Sequence, residues 1–167
     1  MKNSLVHHTW IGLGSNLGDR VKQLSRARAH MAAACGNIEC ISGIYESIAW
    51  GFESKHMFYN QCLKMETGLS PEPLLQELLK IEEAMGRRRN DAEYSDRPID
   101  LDILFYDDLI IQTDDLQVPH PRMAGRKFVL QPLHEIAPDK RDPVTGLTVG
   151  ELLAKCEDPS EVEKIMP

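Results

Sequence analysis

The chain has 167 residues, a length that fits one domain with room for a buried core. Hydrophobic residues make up 42% and charged residues 27%, which excludes a disordered or membrane-spanning composition. A net charge of -7 excludes general attraction to nucleic acid or anionic lipid, so an anionic ligand would need a local basic site.

The four cysteines, Cys35, Cys40, Cys62 and Cys156, form no CxxC pair and have no His at metal-ligand spacing, so reduced, mostly buried thiols are expected. Met1 to Trp10 carries no apolar run of signal-peptide length, and no later segment approaches the ~20 apolar residues of a membrane helix. A cytoplasmic address and a single domain over 1–167 are the resulting expectations.

Leu5 to Leu13 is β-branched, aromatic or small and runs into Gly12-Leu13-Gly14-Ser15-Asn16, a pattern that predicts a core strand entering a tight turn. Asp19 then opens a helix with Val21, Leu24, Ala27, Met31 and Ala32 at helical spacing, stopped by Gly36-Asn37. Ile38 to Ile48 and Phe58 to Thr67 read as a long hairpin joined by the aromatic loop from Trp50 to His56. Ser70-Pro71-Glu72-Pro73 supplies a helix start for Leu74, Leu75, Leu78, Leu79 and Ile81, and Gly86 ends that helix. Arg87 to Arg97 is polar and aperiodic, a long loop leading into a strong strand pattern from Ile99 to Tyr106. Leu109 to Ile111 predicts a short strand, Val118-Pro119-His120-Pro121 a rigid link, and Arg126 to Ile136 a helix interrupted at Pro132. The tail predicts a turn and a short helix around Val149 to Lys155.

The resulting order is βαββαβ. It predicts an α+β, ferredoxin-like core, an antiparallel sheet with helices on one face plus C-terminal additions. Such a core hosts many activities, so function has to come from particular side chains.

Asp100 and Asp102 flank Leu101, and a strand's period of two sends both carboxylates to one face. Paired acids repel unless a cation sits between them, and hard oxygen ligands of this kind suit magnesium bound together with phosphates. A DxD also fits a solvated strand face. Arg87, Arg88, Arg89 and Arg97 lie in the loop that enters this strand, where forked guanidinium donors could meet phosphate or simply be solvated charges at a helix end. The glycine-rich segment 12–16 is neither GxGxxG nor a P-loop, and strain relief in a turn explains it equally well. Asn60 could read the edge of a heterocycle between Phe58 and Phe128, or all three could be core, and His120 could contact a phosphate or cap a turn.

Taken together, Gly14-Ser15-Asn16-Leu17-Gly18, Phe58-Tyr59-Asn60, Ile81-Glu82 with Gly86-Arg87, Arg97 with Asp100-Leu101-Asp102-Ile103, and Val118-Pro119-His120-Pro121 resemble the hydroxymethyl-dihydropterin pyrophosphokinase family from about Trp10 to Pro138. The resemblance implies a ferredoxin-like fold and transfer of the pyrophosphoryl group of ATP to the hydroxymethyl group of 6-hydroxymethyl-7,8-dihydropterin, releasing AMP on the route to folate. It implies two magnesium ions on Asp100 and Asp102, with Arg87 and Arg97 as catalytic arginines on the phosphates. Glu82, Arg87, Arg89, Arg97, Ile103, His120 and Arg126 then fall on the ATP side, and Ser47, Phe58, Asn60 and Phe128 on the pterin side. It assigns no general base. Small-molecule partners, a monomer, and no nucleic acid or membrane partner are expected.

The chain departs from the family pattern at several positions. Many members have Thr-Pro at Ser47-Ile48, Trp at Tyr94 and Gly-Pro at Ser95-Asp96, so Asp96 is expected to add a negative charge near the phosphates. Asp115 and Gln117 replace an Arg and a Thr near ATP. The competing reading is a non-catalytic ferredoxin-like binding module. Acidic balance and the lack of an RNP-type aromatic strand argue against RNA as its ligand.

Overall fold

The computed structural model describes residues 5–87 and 95–167. The first strand signal yields β1 (His7–Ser15), which passes through Gly12 and Gly14 in extended conformation instead of turning at them. The turn comes later, at Gly18, whose φ of +72° suits glycine. Asp19 then caps α1 (Arg20–Ala34) by accepting from the Lys22 N–H at 3.1 Å. Leu24, Ala27 and Met31 form its buried stripe. At Gly36 a Cβ would lie 2.0 Å from the Glu66 carbonyl oxygen, so only glycine fits where the chain leaves the helix.

The strand expected over Ile38–Ile48 is two strands, β2 (Asn37–Ile41) and β3 (Ile44–Ser47). Both run antiparallel to successive stretches of β4 (Phe58–Thr67). The break is pinned by side chains: Gln61 Nε2 donates to the Ser42 carbonyl at 2.8 Å and the Cys62 N–H donates to Ser42 Oγ at 2.9 Å. Next, α2 (Pro71–Ala84) buries Leu74, Leu78 and Ile81, and the chain leaves it through Gly86 at φ +102°. β5 (Asp100–Tyr106) follows. The short strand expected over Leu109–Ile111 lies slightly later, as β6 (Ile111–Gln112) paired with β7 (Gln117–Val118), leaving Leu109 and Ile110 exposed.

α3 (Lys127–Ile136) is continuous through Pro132, contrary to the expected interruption. The missing N–H costs one bond to the Phe128 carbonyl, while burial of Leu130 and Leu133 against the sheet holds the helix together. α4 (Val149–Lys155) is capped by Thr148. A last strand, β8 (Val162–Met166), has no clear signature in the charged tail, yet it pairs with β3. Of the cysteines, Cys35 and Cys62 are buried and Cys40 and Cys156 only half-buried, and all four are free thiols.

The sheet order is β5-β1-β4-β3-β8, all antiparallel, with β2 also pairing with β4. Its β1-α1-β2/β3-β4-α2-β5 portion is the ferredoxin-like arrangement. α1 and α2 cover one face, over Ile11, Leu13, Leu63, Met65, Leu101 and Ile103. α3 and α4 cover part of the other, over Trp10, Cys62 and Phe105. The C-terminal additions thus form a second helical layer, and a cavity opens on that second face beside the start of α3.

Candidate active site

Register places six residues on one face in two rows. Gly14 of β1 lies between Asn60 of β4 and Asp100 of β5, and Gly12 lies between Cys62 and Asp102. Directly opposed residues of antiparallel strands project to the same side, so both carboxylates rise from one surface while Leu101 enters the opposite core. The glycines between them contribute no side chains. They make a bare floor between an acidic edge and an amide edge, a role for Gly12 and Gly14 that reading them as a turn overlooked.

The cavity over this floor measures about 650 Å³ including its open mouth. Phe58, Phe52 and Trp50 line it from the β3–β4 side, Arg97 closes one end, and Arg126 and Phe128 approach from the start of α3. The Phe52 and Phe58 rings meet edge-on at 6.3 Å, and the Arg97 guanidinium lies 5.9 Å from the Phe58 ring centre. The Arg126 guanidinium stacks 4.5 Å above Trp50 and 5.8 Å from Phe128. From the resemblance only the backbone near Ser47 to Trp50 was expected to contribute here, whereas Ile48, Trp50 and Phe52 all line the cavity; the aromatic composition of the 50–56 loop was the available signal.

Asn60 is buried, and its amide N–H₂ is fully used, donating to the Tyr45 carbonyl at 3.1 Å and to Ser47 Oγ at 2.8 Å. That network leaves Asn60 Oδ1 as the group facing the floor, 3.7 Å from where a Gly14 Cβ would stand. An acceptor at the base of an aromatic slot recognises a heterocycle that presents N–H donors along its edge.

The acidic edge is braced from behind. Glu82 of α2 accepts from the Leu101 N–H at 2.8 Å and from Arg87 at 2.8 Å, and the same Arg87 nitrogen donates to Asp100 at 2.7 Å. Arg97 adds a second cation 3.5 Å from the other Asp100 oxygen. Burial, then the Asp100 charge, pushes Glu82 up to about 7. Burial, then Asp100 and Glu82, raises Asp102 well above the ordinary carboxylate range. Asp100 and Asp102 both line the cavity from one face, and the raised pKa of Asp102 beside the Asp100 charge marks a hard-oxygen pair short of positive charge. Asp100 and Asp102 therefore fit a divalent cation such as magnesium.

The other sequence-selected residues lie around this centre. His120 sits beyond β7 with its Nδ1 accepting from the Arg122 N–H at 3.2 Å, and burial, then the nearby Arg126 charge, brings it down to about 4. It is a neutral imidazole with its proton on Nε2. The Ile103 side chain packs in the α1/α2 core, and the residue does not line the cavity. Glu82 and Arg87 brace the site from behind and do not line the cavity. Arg89, with Arg88 and Tyr94, lies outside the described residues. Asp96 does not line the cavity as a loose negative charge; its carboxylate is taken up by Asn16 and Ser54. His8, Glu39 and Glu66 also gather potential ligand atoms within 4.8 Å, but none of them lines the cavity, and Lys64 Nζ already lies 3.0 Å from Glu39.

The family model for 7,8-dihydro-6-hydroxymethylpterin-pyrophosphokinase (HPPK) matches residues 10–138, which include the cavity floor, both aspartates and the start of α3. The chain belongs to the HPPK family. A 2-amino-4-hydroxy-6-hydroxymethyldihydropteridine pyrophosphokinase of Aquifex aeolicus (strain VF5) is 42% identical over 135 residues, 81% of this chain and 83% of that protein. The folic acid synthesis protein fol1 of Pneumocystis carinii is 40% identical over 158 residues, 95% of this chain but 21% of that longer protein. The solved HPPK-DHPS of Plasmodium falciparum superposes with a TM-score of 0.73 at 18% identity, covering 92% of this chain and 45% of that one, and so shares the HPPK fold. Among the described residues no helix is long and apolar enough to cross a membrane.

Proposed function

We propose that this HPPK-family chain transfers the pyrophosphoryl group of ATP to the hydroxymethyl group of 6-hydroxymethyl-7,8-dihydropterin, releasing AMP. The observation that carries the reading is the meeting, in one cavity, of the Asp100-Asp102 pair with an aromatic slot that has Asn60 at its base. Asn60 Oδ1 accepts from the pterin's amino and ring N–H groups, and Phe58 and Phe128 lie against the faces of the ring. That orientation aims the hydroxymethyl group along the glycine floor toward the acidic edge.

Asp100 and Asp102 would hold two magnesium ions, and those ions would supply the positive charge that the triphosphate needs for in-line displacement. The pterin oxygen forms a bond to the β-phosphorus, the bond from that phosphorus to the α,β-bridging oxygen breaks, AMP leaves with the electron pair, and the hydroxyl proton passes to solvent. Arg97 and Arg126, both buried at the cavity wall, supply fixed positive charge where negative charge builds on the transferring group. Arg87, held between Glu82 and Asp100, keeps the acidic edge in place and adds to that field. Positioning and electrostatics suffice for an alcohol nucleophile, so no side chain is assigned as general base.

Product identity tests the reading: with ATP, magnesium and the reduced pterin alcohol, AMP and a pyrophosphorylated pterin should form in equal amounts. ADP as the nucleotide product would refute it. Asp102→Ala should lower turnover by more than about a hundredfold, with an unchanged far-UV circular dichroism spectrum, because the charge clamp on the transferring group is lost.

A further inference from the structure

Three segments distant in sequence meet at the rim of the cavity. Asn16, 1% exposed, follows the end of β1 and pairs with the backbone of Arg97 on both sides: its Oδ1 accepts from the Arg97 N–H at 2.7 Å and its N–H donates to the Arg97 carbonyl at 3.2 Å. The same side chain donates through Nδ2 to Asp96 Oδ1 at 2.7 Å. Ser54, in the 48–57 connection, donates to that same Asp96 oxygen at 2.5 Å, and its Oγ accepts from the His56 N–H at 3.0 Å. Asn16 Nδ2 also reaches the His56 carbonyl at 3.4 Å, so Asp96 joins the segment carrying Arg97 to the connection carrying Trp50 and Phe52 through its two short bonds beside that longer one, and Arg97, Trp50 and Phe52 all line the cavity.

We infer that Asp96 is a positioning residue that couples the 48–57 connection to the Arg97 segment, so that the aromatic wall and the cationic end of the site are set together. The bonds are charge-assisted, and a carboxylate oxygen takes both donors at once, which makes them strong for a partly exposed position. Asn16 holds the Arg97 backbone without Asp96, so loss of the Asp96 carboxylate loosens the 48–57 connection, which keeps the longer Asn16–His56 bond and its ring contacts with Arg126 and Phe58, while Arg97 keeps its place. The consequence falls on binding of the ring. The kinetic form of this inference rests on the pyrophosphokinase reading, whereas the coupling itself does not.

The test compares the whole chain with Asp96→Ala, Ser54→Ala, the double variant and Asp96→Asn. Of the chain's two tryptophans, Trp10 is 8% exposed and Trp50 36%, so iodide quenching of fluorescence reports on Trp50. Asp96→Ala and Ser54→Ala should each raise the quenching constant. The double variant should raise it no further than either alone, and Asp96→Asn, which keeps an acceptor oxygen, should stay near wild type. KM for the pterin should rise about tenfold in each alanine variant, with KM for ATP and kcat moving less than about threefold. Unchanged quenching in both alanine variants, or additive effects in the double, would overturn the coupling. Ser54→Ala and Asp96→Asn keep the test decisive even if Asp96→Ala lowers the thermal midpoint. A wild-type protein that makes no AMP while quenching responds as expected would defeat the pyrophosphokinase reading and leave the coupling standing.

Discussion

Gly14 is glycine for reasons of space. Its backbone is extended, and a Cβ there would meet Phe58 at 3.5 Å and Asn60 Oδ1 at 3.7 Å, ordinary contacts that need no rearrangement. Gly14→Ala should leave the thermal midpoint unchanged or raise it slightly, since alanine in a strand gains up to about 1 kcal/mol over glycine. The added methyl would nonetheless stand on the cavity floor between Asn60 and Asp100. Turnover should fall at least about tenfold, because a ligand displaced by the width of a methyl loses its aligned geometry. Calorimetry and initial rates on the same preparation check both halves. A parallel fall in stability and activity would show that Gly14 serves the strand and not the site.

The pairing of α3 with the sheet's β3–β8 edge depends on one carboxylate. Glu135 accepts from Tyr45 Oη and the Gly43 N–H at 2.8 Å each, and from Lys164 Nζ at 2.7 Å, so it joins α3 to β3 and β8. Burial alone would raise its pKa. The Lys164, Tyr45 and Gly43 bonds outweigh that and hold it below its ordinary value of 4.5. A carboxyl with a lowered folded pKa stabilises the protein above its unfolded pKa, and that contribution is lost as pH falls through the folded value. Glu135→Ala should therefore cost on the order of 1–2 kcal/mol at pH 7. The difference from wild type should shrink as pH falls below 4.5 and on through the lowered folded value, where the wild-type carboxyl takes up its proton. Urea titrations from pH 7 down through that range measure it. A difference independent of pH would mean that Glu135 contributes packing alone.

Across the molecule, β3 is four residues long and carries Ser47 to the site, with β4 on one side and β8 on the other. Deleting residues 159–167 would make β3 an edge strand and remove the Lys164–Glu135 pair. The thermal midpoint should fall by about 2–12 °C, the shift expected for a loss of about 1–3 kcal/mol in a chain of this size. The exposed edge should also promote association at high concentration, readable by light scattering. Activity should fall more than the lost stability explains, because Ser47 orients Asn60.

The local signals in the chain specified most of the elements. The period-two spacing of Asp100 and Asp102 was enough to place them on one face, and the capped, periodic runs from Asp19 and Ser70 became α1 and α2. The family motifs are likewise short, so membership of the HPPK family could be read before any coordinates. What tertiary structure alone decided concerns partners far apart in sequence. These are the register that sets Gly12 and Gly14 beside the aspartates, the Glu82 brace behind Leu101, the Asn16–Arg97 and Asp96–Ser54 contacts, and the β8 pairing with β3. Periodicity and capping are energies of neighbouring residues and leave a mark in composition. Register and loop-to-loop bonds depend on how the whole sheet packs between its two helical layers, and no local stretch of sequence carries that information.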